Sequence, residues 1–287
     1  MVFCMKSALV LEGGSLRCMF SAGITDVLLE QGTRFDGVFG TSSGSLTGIS
    51  VVAGQIGRTK RVNLDFAMEK EYLGYYSLLK NRSVFNFNYM FNEISDIYLP
   101  LDRKKFEDSS CDFTATATSC RTGQTVYYNK HSCPNIYTAV TAGSSMPLLS
   151  PVVDVAGEPC LDGGISDAIP FQKALDEGYD KVVVVATRQH GFLKPNTPSF
   201  LAEMYVRRYG RYPEFVKTLL ETPRMYSRQM GEIDRLVRQK RIFVLRPEFP
   251  VEVSRMERDT SKLIALYEEG RRIAGENLEK LRDYLAD

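Results

Sequence analysis

Ser42 stands at the centre of Gly40-Thr41-Ser42-Ser43-Gly44, a G-x-S-x-G arrangement directly after the apolar pair Val38-Phe39. Flanking glycines let two backbones pass without a Cβ clash, so the pattern suits a sharp strand-to-helix turn that presents its central serine at a sheet edge. The following helix would aim its N-terminal dipole at charge developing beside that serine. Two other readings compete. Ser42 or Ser43 could serve only as a helix N-cap, or the loop could cradle phosphate. No G-K-[ST] follows the loop and no G-x-G-x-x-G opens the chain, so neither a P-loop nor a dinucleotide fingerprint is present.

An acyl-transfer serine needs donors for the oxyanion and a base for its proton. Gly13-Gly14-Ser15-Leu16-Arg17 offers the donors. It follows the neighbouring apolar run, opens a helix at the same predicted edge, and carries a cation at Arg17. A plain glycine turn with a solvated Arg17 is the simpler reading. The base has three candidates. His131 and His190 are the chain's two histidines, and the order Ser42, Asp162, His190 matches an α/β-hydrolase triad. Ser42 comes too early for that fold, after only the second predicted strand. Alternatively a carboxylate accepts the proton directly, and Asp162, followed by two glycines, is placed at another strand-to-helix turn.

These residues need a frame that brings the turns together. Residues 7–14 read as a buried parallel strand ending on glycines, 16–32 as a helix, 34–40 as a second strand and 43–55 as a small-residue helix. That alternation predicts an α/β fold with a parallel sheet and crossover helices. Hairpins are expected at 112–129 and 152–164, a helix at 135–147, a central strand within 173–188 and a last strand at 241–247. The aromatic and amide-rich segment 85–94 reads as a packed loop, with a cleft cover as the alternative. Residues 261–287 read as one amphipathic helix, or two broken near Gly270 or Gly275.

Composition bounds the function. The chain has 287 residues, 44% apolar and 25% charged, with a net charge of +1, so no overall field favours nucleic acid. No apolar run is long enough for a spanning helix, and the N-terminal apolar run reads as a strand, not a signal peptide. Six cysteines, without a C-x-x-C pair, argue against a zinc site and for reduced thiols in the cytoplasm.

Three pieces in order, "EGGSLRC", "GTSSG" and "LDGG", with "AGSSMP" (142–147) before the last, resemble the patatin-like lipid acyl hydrolases over residues 7–190. "LDGGISDAIP" is most similar to bacterial members, which often carry a helical C-terminal extension. The resemblance implies a three-layer α/β/α domain with a mainly parallel central sheet over 1–190 and a mostly helical extension over 191–287. It implies Ser42 as nucleophile, Asp162 as base, and an oxyanion hole from Gly13, Gly14 and Ser15 helped by Arg17, without metal or cofactor. The implied substrates are esters of phospholipids, lysophospholipids or acylglycerols. A His190 esterase and a non-catalytic lipid-binding protein are the alternatives. The sequence departs from the family loop G-G-G-x-R-G at Ser15 and Cys18, and a residue at 15 with positive φ would strain.

Between Leu201 and Arg241 there are ten Lys/Arg and five Asp/Glu, an excess of five positive charges interleaved with aromatic and aliphatic residues. This stretch is expected to make peripheral contact with an anionic membrane, or else to be a helix whose aromatics form core.

Overall fold

The computed structural model describes residues 5–66 and 68–286. Eight strands run as β1 (Ser7–Leu11), β2 (Gly37–Thr41), β3 (Asp112–Ser119), β4 (Thr125–Asn129), β5 (Val153–Val155), β6 (Glu158–Asp162), β7 (Lys181–Val185) and β8 (Ile242–Leu245). The helices are α1 (Cys18–Glu30), α2 (Ser43–Val52), α3 (Arg58–Asp65), α4 (Tyr75–Asn81), α5 (Arg103–Asp108), α6 (Ile136–Gly143), α7 (Phe171–Asp176), α8 (Ser199–Tyr209), α9 (Pro213–Arg238) and α10 (Thr260–Ala286).

The strands form one sheet in the order β5-β6-β3-β2-β1-β7-β8, with β4 also pairing with β3. The run β3-β2-β1-β7-β8 is parallel, whereas β4, β6 and β5 are added antiparallel. β1 and β7 are continuous apolar runs after their first residue because both faces are covered. Their side chains alternate between two cores. Leu9, Leu11, Val183 and Val185 face α1, α2, α6 and α10, while Ala8, Val10, Val182 and Val184 face α7 and α9. The fold is the expected α/β sandwich with a mainly parallel sheet.

The chain leaves β1 for β2 and β3 on one side, then returns to place β7 and β8 on the other. Such a reversal opens a crevice at the carboxyl ends of the strands, where ligands bind in open α/β sheets. The loops after β1 and β2 leave the sheet at that edge.

Residues 260–286 are one continuous helix, unbroken at Gly270 and Gly275. The reason for Gly270 is packing. A Cβ there would overlap the Phe20 carbonyl oxygen, and a Cβ on Gly23 would overlap that of Tyr267, so the two glycines bring α1 and α10 into backbone contact. Tyr267 Oη donates to Asp26 at 2.9 Å, and Arg271 pairs with Glu30 at 2.8 Å along the same seam. Gly275 has open space around it.

Of the segment 85–94, expected as loop, the residues from Tyr89 onward belong to a π-helix, Tyr89–Tyr98. Its aromatic and amide residues alternate too irregularly for a 3.6-residue period, which is why periodicity alone did not identify it. Among the described residues no helix is long and apolar enough to cross a membrane, and no group of three or more His, Cys, Asp or Glu is placed to hold a metal ion.

Candidate active site

β2 ends on Thr41, and α2 begins at Ser43, so Ser42 is the single residue of the turn. Its backbone sits at φ 54°, ψ −125°, a left-handed-side conformation that a non-glycine residue adopts only under constraint. The constraint is visible. A Cβ on Gly40 would overlap the Ser45 backbone, and one on Gly44 would overlap the Leu11 carbonyl, so only glycines let α2 start this close to β1. Ser45 Oγ donates to the Gly40 carbonyl at 2.7 Å, closing the turn from inside. Ser42 makes no side-chain cap to α2. The cap reading therefore has no bond to support it, and the hydroxyl points elsewhere.

It points at Asp162. Ser42 Oγ donates to Asp162 Oδ2 at 2.8 Å, and the other oxygen, Oδ1, accepts the Gly164 N–H at 2.7 Å. Asp162 caps β6, where its backbone N–H donates to the Ser145 carbonyl and its own carbonyl accepts from Thr118 Oγ1. It is only 8% exposed. Burial pushes its carboxyl above the ordinary carboxylate range, against the opposing pull of the Ser42 and Gly164 hydrogen bonds. Ser42 itself remains partly exposed. A half-open serine hydrogen-bonded to a buried, basic carboxylate can form a nucleophile and base pair.

The loop after β1 lies against this pair. A Cβ on Gly13 would stand 3.1 Å from Ser42 Cβ. Two of its amides are occupied, Gly13 N–H by the Ala168 carbonyl at 3.3 Å and Gly14 N–H by Ser43 Oγ at 3.0 Å. Ser15 takes φ 52°, the strained value that a third glycine would adopt freely, and its hydroxyl donates to the Arg255 carbonyl at 2.6 Å. Cys18 is buried, which raises its thiol to about 12.

Arg17 sits behind the loop. Burial, then Arg188, lowers its guanidinium to about 10, while Glu12 opposes the shift. Its Nε is buried without a hydrogen-bond partner. Glu12 is fully buried and accepts from the Thr187 N–H and from Tyr226 Oη of α9 at 2.8 Å. Sequence reading missed Glu12, Lys194 and Arg255, the last two of which act electrostatically on Asp162. Burial, then Arg255, lowers Lys194 to about 8. They lie 32 and 93 residues beyond Asp162, in stretches without a motif.

The histidines are elsewhere. His190 Nε2 is 3.2 Å from Asp234 with its side chain 74% exposed, and His131 Nε2 is 3.3 Å from Asp112. The oxygen of Asp162 that a triad would turn toward histidine is bonded to Ser42 instead.

This fold and pair define a class: an α/β sandwich with a serine elbow and a buried aspartate at one sheet edge. The chain belongs to the patatin-like phospholipase family, whose profile matches residues 9–175. A second profile, a domain of unknown function (DUF6363), matches residues 212–286. The uncharacterized protein YjjU of Escherichia coli (strain K12) is 29% identical over 189 residues, 63% of this chain and 52% of that protein. The match thus spans about half the length of the curated relative. Among solved structures, VipD from Legionella pneumophila superposes with a TM-score of 0.53 at 13% identity, over 96% of this chain and 67% of that one, a likeness of fold.

Proposed function

We propose that the protein is a serine hydrolase of lipid carboxylic esters, with Ser42 as nucleophile and Asp162 as base. The 2.8 Å bond from Ser42 Oγ to a buried carboxylate carries this reading. Asp162 accepts the Ser42 proton as Oγ attacks the ester carbonyl. The proton then passes to the leaving alkoxide, and an acyl-Ser42 remains. Water, deprotonated by Asp162, releases the fatty acid and restores the serine. Phospholipids, lysophospholipids and acylglycerols all present the required ester.

The oxyanion falls to the amides of Ser15 and Ser43, the latter being the residue after the nucleophile, at the start of α2. Gly14 N–H joins them where the oxyanion displaces Ser43 Oγ. Arg17 adds positive field from behind. In the same reading, 1–190 is the catalytic unit and 191–287 the extension packed on it. The same reading places the protein in the cytoplasm, where cysteines stay reduced; Cys18, Cys111, Cys120, Cys133 and Cys160 are free thiols, and Cys4 lies outside the described residues. Peripheral contact with an anionic membrane falls to α8, where Phe200 is 66% and Met204 47% exposed beside Arg207 and Arg208. Tyr209, Phe215, Leu219 and Tyr226, from the same basic stretch, are core.

The test is a fluorophosphonate, which traps an activated serine. Peptide mapping is expected to place the label on Ser42 alone and to lose it in Ser42→Ala. A label on Ser43, Ser45 or Ser144, or none at all, overturns the assignment.

A further inference from the structure

A narrow pocket leads inward from Ser42, with about 710 Å³ of empty space counting its open mouth. It follows α2 past Leu46 and Ile49 to Ser50, and its other walls come from α3 and the aromatic segment around the π-helix. Most of that wall is hydrocarbon: Val62, Phe85, Phe87 and Met90 face Leu46 and Ile49. An acyl chain attached to Ser42 fits such a wall.

The stretch where α2 closes and α3 opens is different in kind. Ser50 and Arg58 line the pocket there, and among the described residues Ser50 Oγ and Arg58 Nε are buried without a hydrogen-bond partner. Arg58 is only 9% exposed. Its Nη2 donates to Ser95 Oγ at 2.8 Å and to the Leu99 carbonyl at 3.3 Å, both neutral acceptors. Among the described residues, the ionisable groups that act on it are Tyr72, Arg103 and Tyr137, none of them a carboxylate. A buried guanidinium stays charged, and a buried charge without a counter-charge is costly. Packing alone could be served by a methionine. A cation kept in the wall of a mainly apolar pocket, with a donor unused, is fitted to a ligand that brings the anion with it.

We propose that Arg58 and Ser50 bind a carboxylate at the far end of the substrate's acyl chain, so that the protein prefers half-esters of dicarboxylic acids. This rests on Ser42 being the nucleophile. The chain length follows from α2. Ser50 lies eight residues beyond Ser42, a rise of about 12 Å at 1.5 Å per residue, and a zigzag of carbon bonds near 1.5 Å advances about 1.3 Å per atom, giving roughly nine carbons. A glycerophosphate headgroup is the less suitable occupant, because a polar glycerol, not hydrocarbon, would then lie along Leu46, Ile49 and Met90.

The experiment compares p-nitrophenyl esters of nonanoic acid, 9-hydroxynonanoic acid and azelaic acid, the last as its mono-ester, with 2-acetylglycerol 3-phosphate as a headgroup arm. Wild-type kcat/KM is expected to be at least tenfold higher for the azelaic ester than for the nonanoic one, with the hydroxy ester between. In Arg58→Met that ratio is expected to fall to about one, and in Arg58→Lys to keep part of its value. A wild-type ratio at or below one overturns the proposal without any variant. So does an Arg58-dependent preference confined to the glycerophosphate ester.

A binding arm separates this from the hydrolase reading. Ser42→Ala, titrated calorimetrically with monomethyl azelate and with methyl nonanoate, is expected to bind the azelate at least tenfold more tightly. Tighter azelate binding beside an unlabelled, inactive wild-type serine would leave the pocket assignment standing and remove the catalytic one. Equal binding of the two esters overturns the pocket assignment even if Ser42 is labelled.

Discussion

Asp162→Asn separates chemistry from architecture at this site. The amide can keep Oδ1 as acceptor for the Gly164 N–H and turn Nδ2 toward Ser42 Oγ, so both contacts of 2.7 and 2.8 Å survive in form. What disappears is a group that can take a proton. Loss of a general base costs about 10²–10⁴ in rate, or about 3–5 kcal/mol of transition-state stabilisation at 1.36 kcal/mol per decade. Ser42→Ala should lose a similar factor, because members of one catalytic unit fail together. Stability should move the other way. Burial raises the Asp162 carboxyl in the folded state. From its unfolded value of about 3.9 up to that raised value, the native chain holds a proton that the unfolded chain has released. Stability therefore falls as pH rises through that window, and the full penalty of the buried charge is present at neutral pH. Asparagine carries no such penalty. Thermal unfolding at pH 7 should show Asp162→Asn at or above the wild-type melting temperature, with the gap closing toward pH 4. In wild type, kcat/KM on a soluble ester should fall on the acid side with an apparent pKa above the ordinary carboxylate range. The reasoning is refuted if Asp162→Asn retains turnover within tenfold, or if it melts well below wild type at pH 7, which would make Asp162 a structural anchor.

Three further outcomes are expected. His131→Ala and His190→Ala should each keep kcat/KM on a soluble ester within about tenfold, well short of the loss of a general base; a collapse in folded His190→Ala would restore the triad. Gly270→Ala should lower stability by about 1–3 kcal/mol through overpacking against Phe20, whereas Gly275→Ala, in open space on the same helix, should gain up to about 1 kcal/mol; chemical denaturation of the two variants side by side decides it, and equal effects would dismiss the α1–α10 seam. Vesicle sedimentation should show binding to anionic but not neutral lipid, weakening with salt and with charge reversal at Arg207 and Arg208, while soluble-ester hydrolysis persists; indifference to anionic vesicles at low salt would leave α8 without a membrane role.

What could be read in advance was whatever local backbone demands write into residue type. β1 and β2 are short apolar runs closed by glycines, and the elbow must be glycine on both sides because a Cβ at 40 would meet the Ser45 backbone and one at 44 the Leu11 carbonyl. Those demands are local in sequence, so they were legible. The Ser42–Asp162 contact spans 120 residues and was reachable only through the order of three motifs. Lys194, Arg255 and Tyr226 were not reachable at all, since nothing in a basic or aromatic residue on an ordinary helix or loop says which distant carboxylate it will meet. The basic stretch of 199–240 shows the same limit. Its charge is plain in sequence, yet Phe215 and Phe200 look alike there, and only packing makes the first core and leaves the second 66% exposed.

The strained serine also explains why the last third of the chain reaches the site. A non-glycine residue at positive φ costs about 1–3 kcal/mol, and such strain persists only where the surroundings over-determine it. Both Ser42 and Ser15 are held this way, within one small region. The loop that carries Ser15 hangs from Glu12, and Glu12 is fixed by the Thr187 N–H after β7 and by Tyr226 Oη from α9. Ser15 is tied to the Arg255 carbonyl in the segment before α10, and α10 clamps α1, the helix that the loop opens. Each of these restraints acts on the Gly13–Ser15 side of Ser42, and three come from beyond residue 190. In the proposed division, the extension is thus part of what keeps the turn loaded: without Tyr226, Arg255 and α10, the residues of the site would all still be present, but the backbone strain that aims them would have fewer contacts to sustain it.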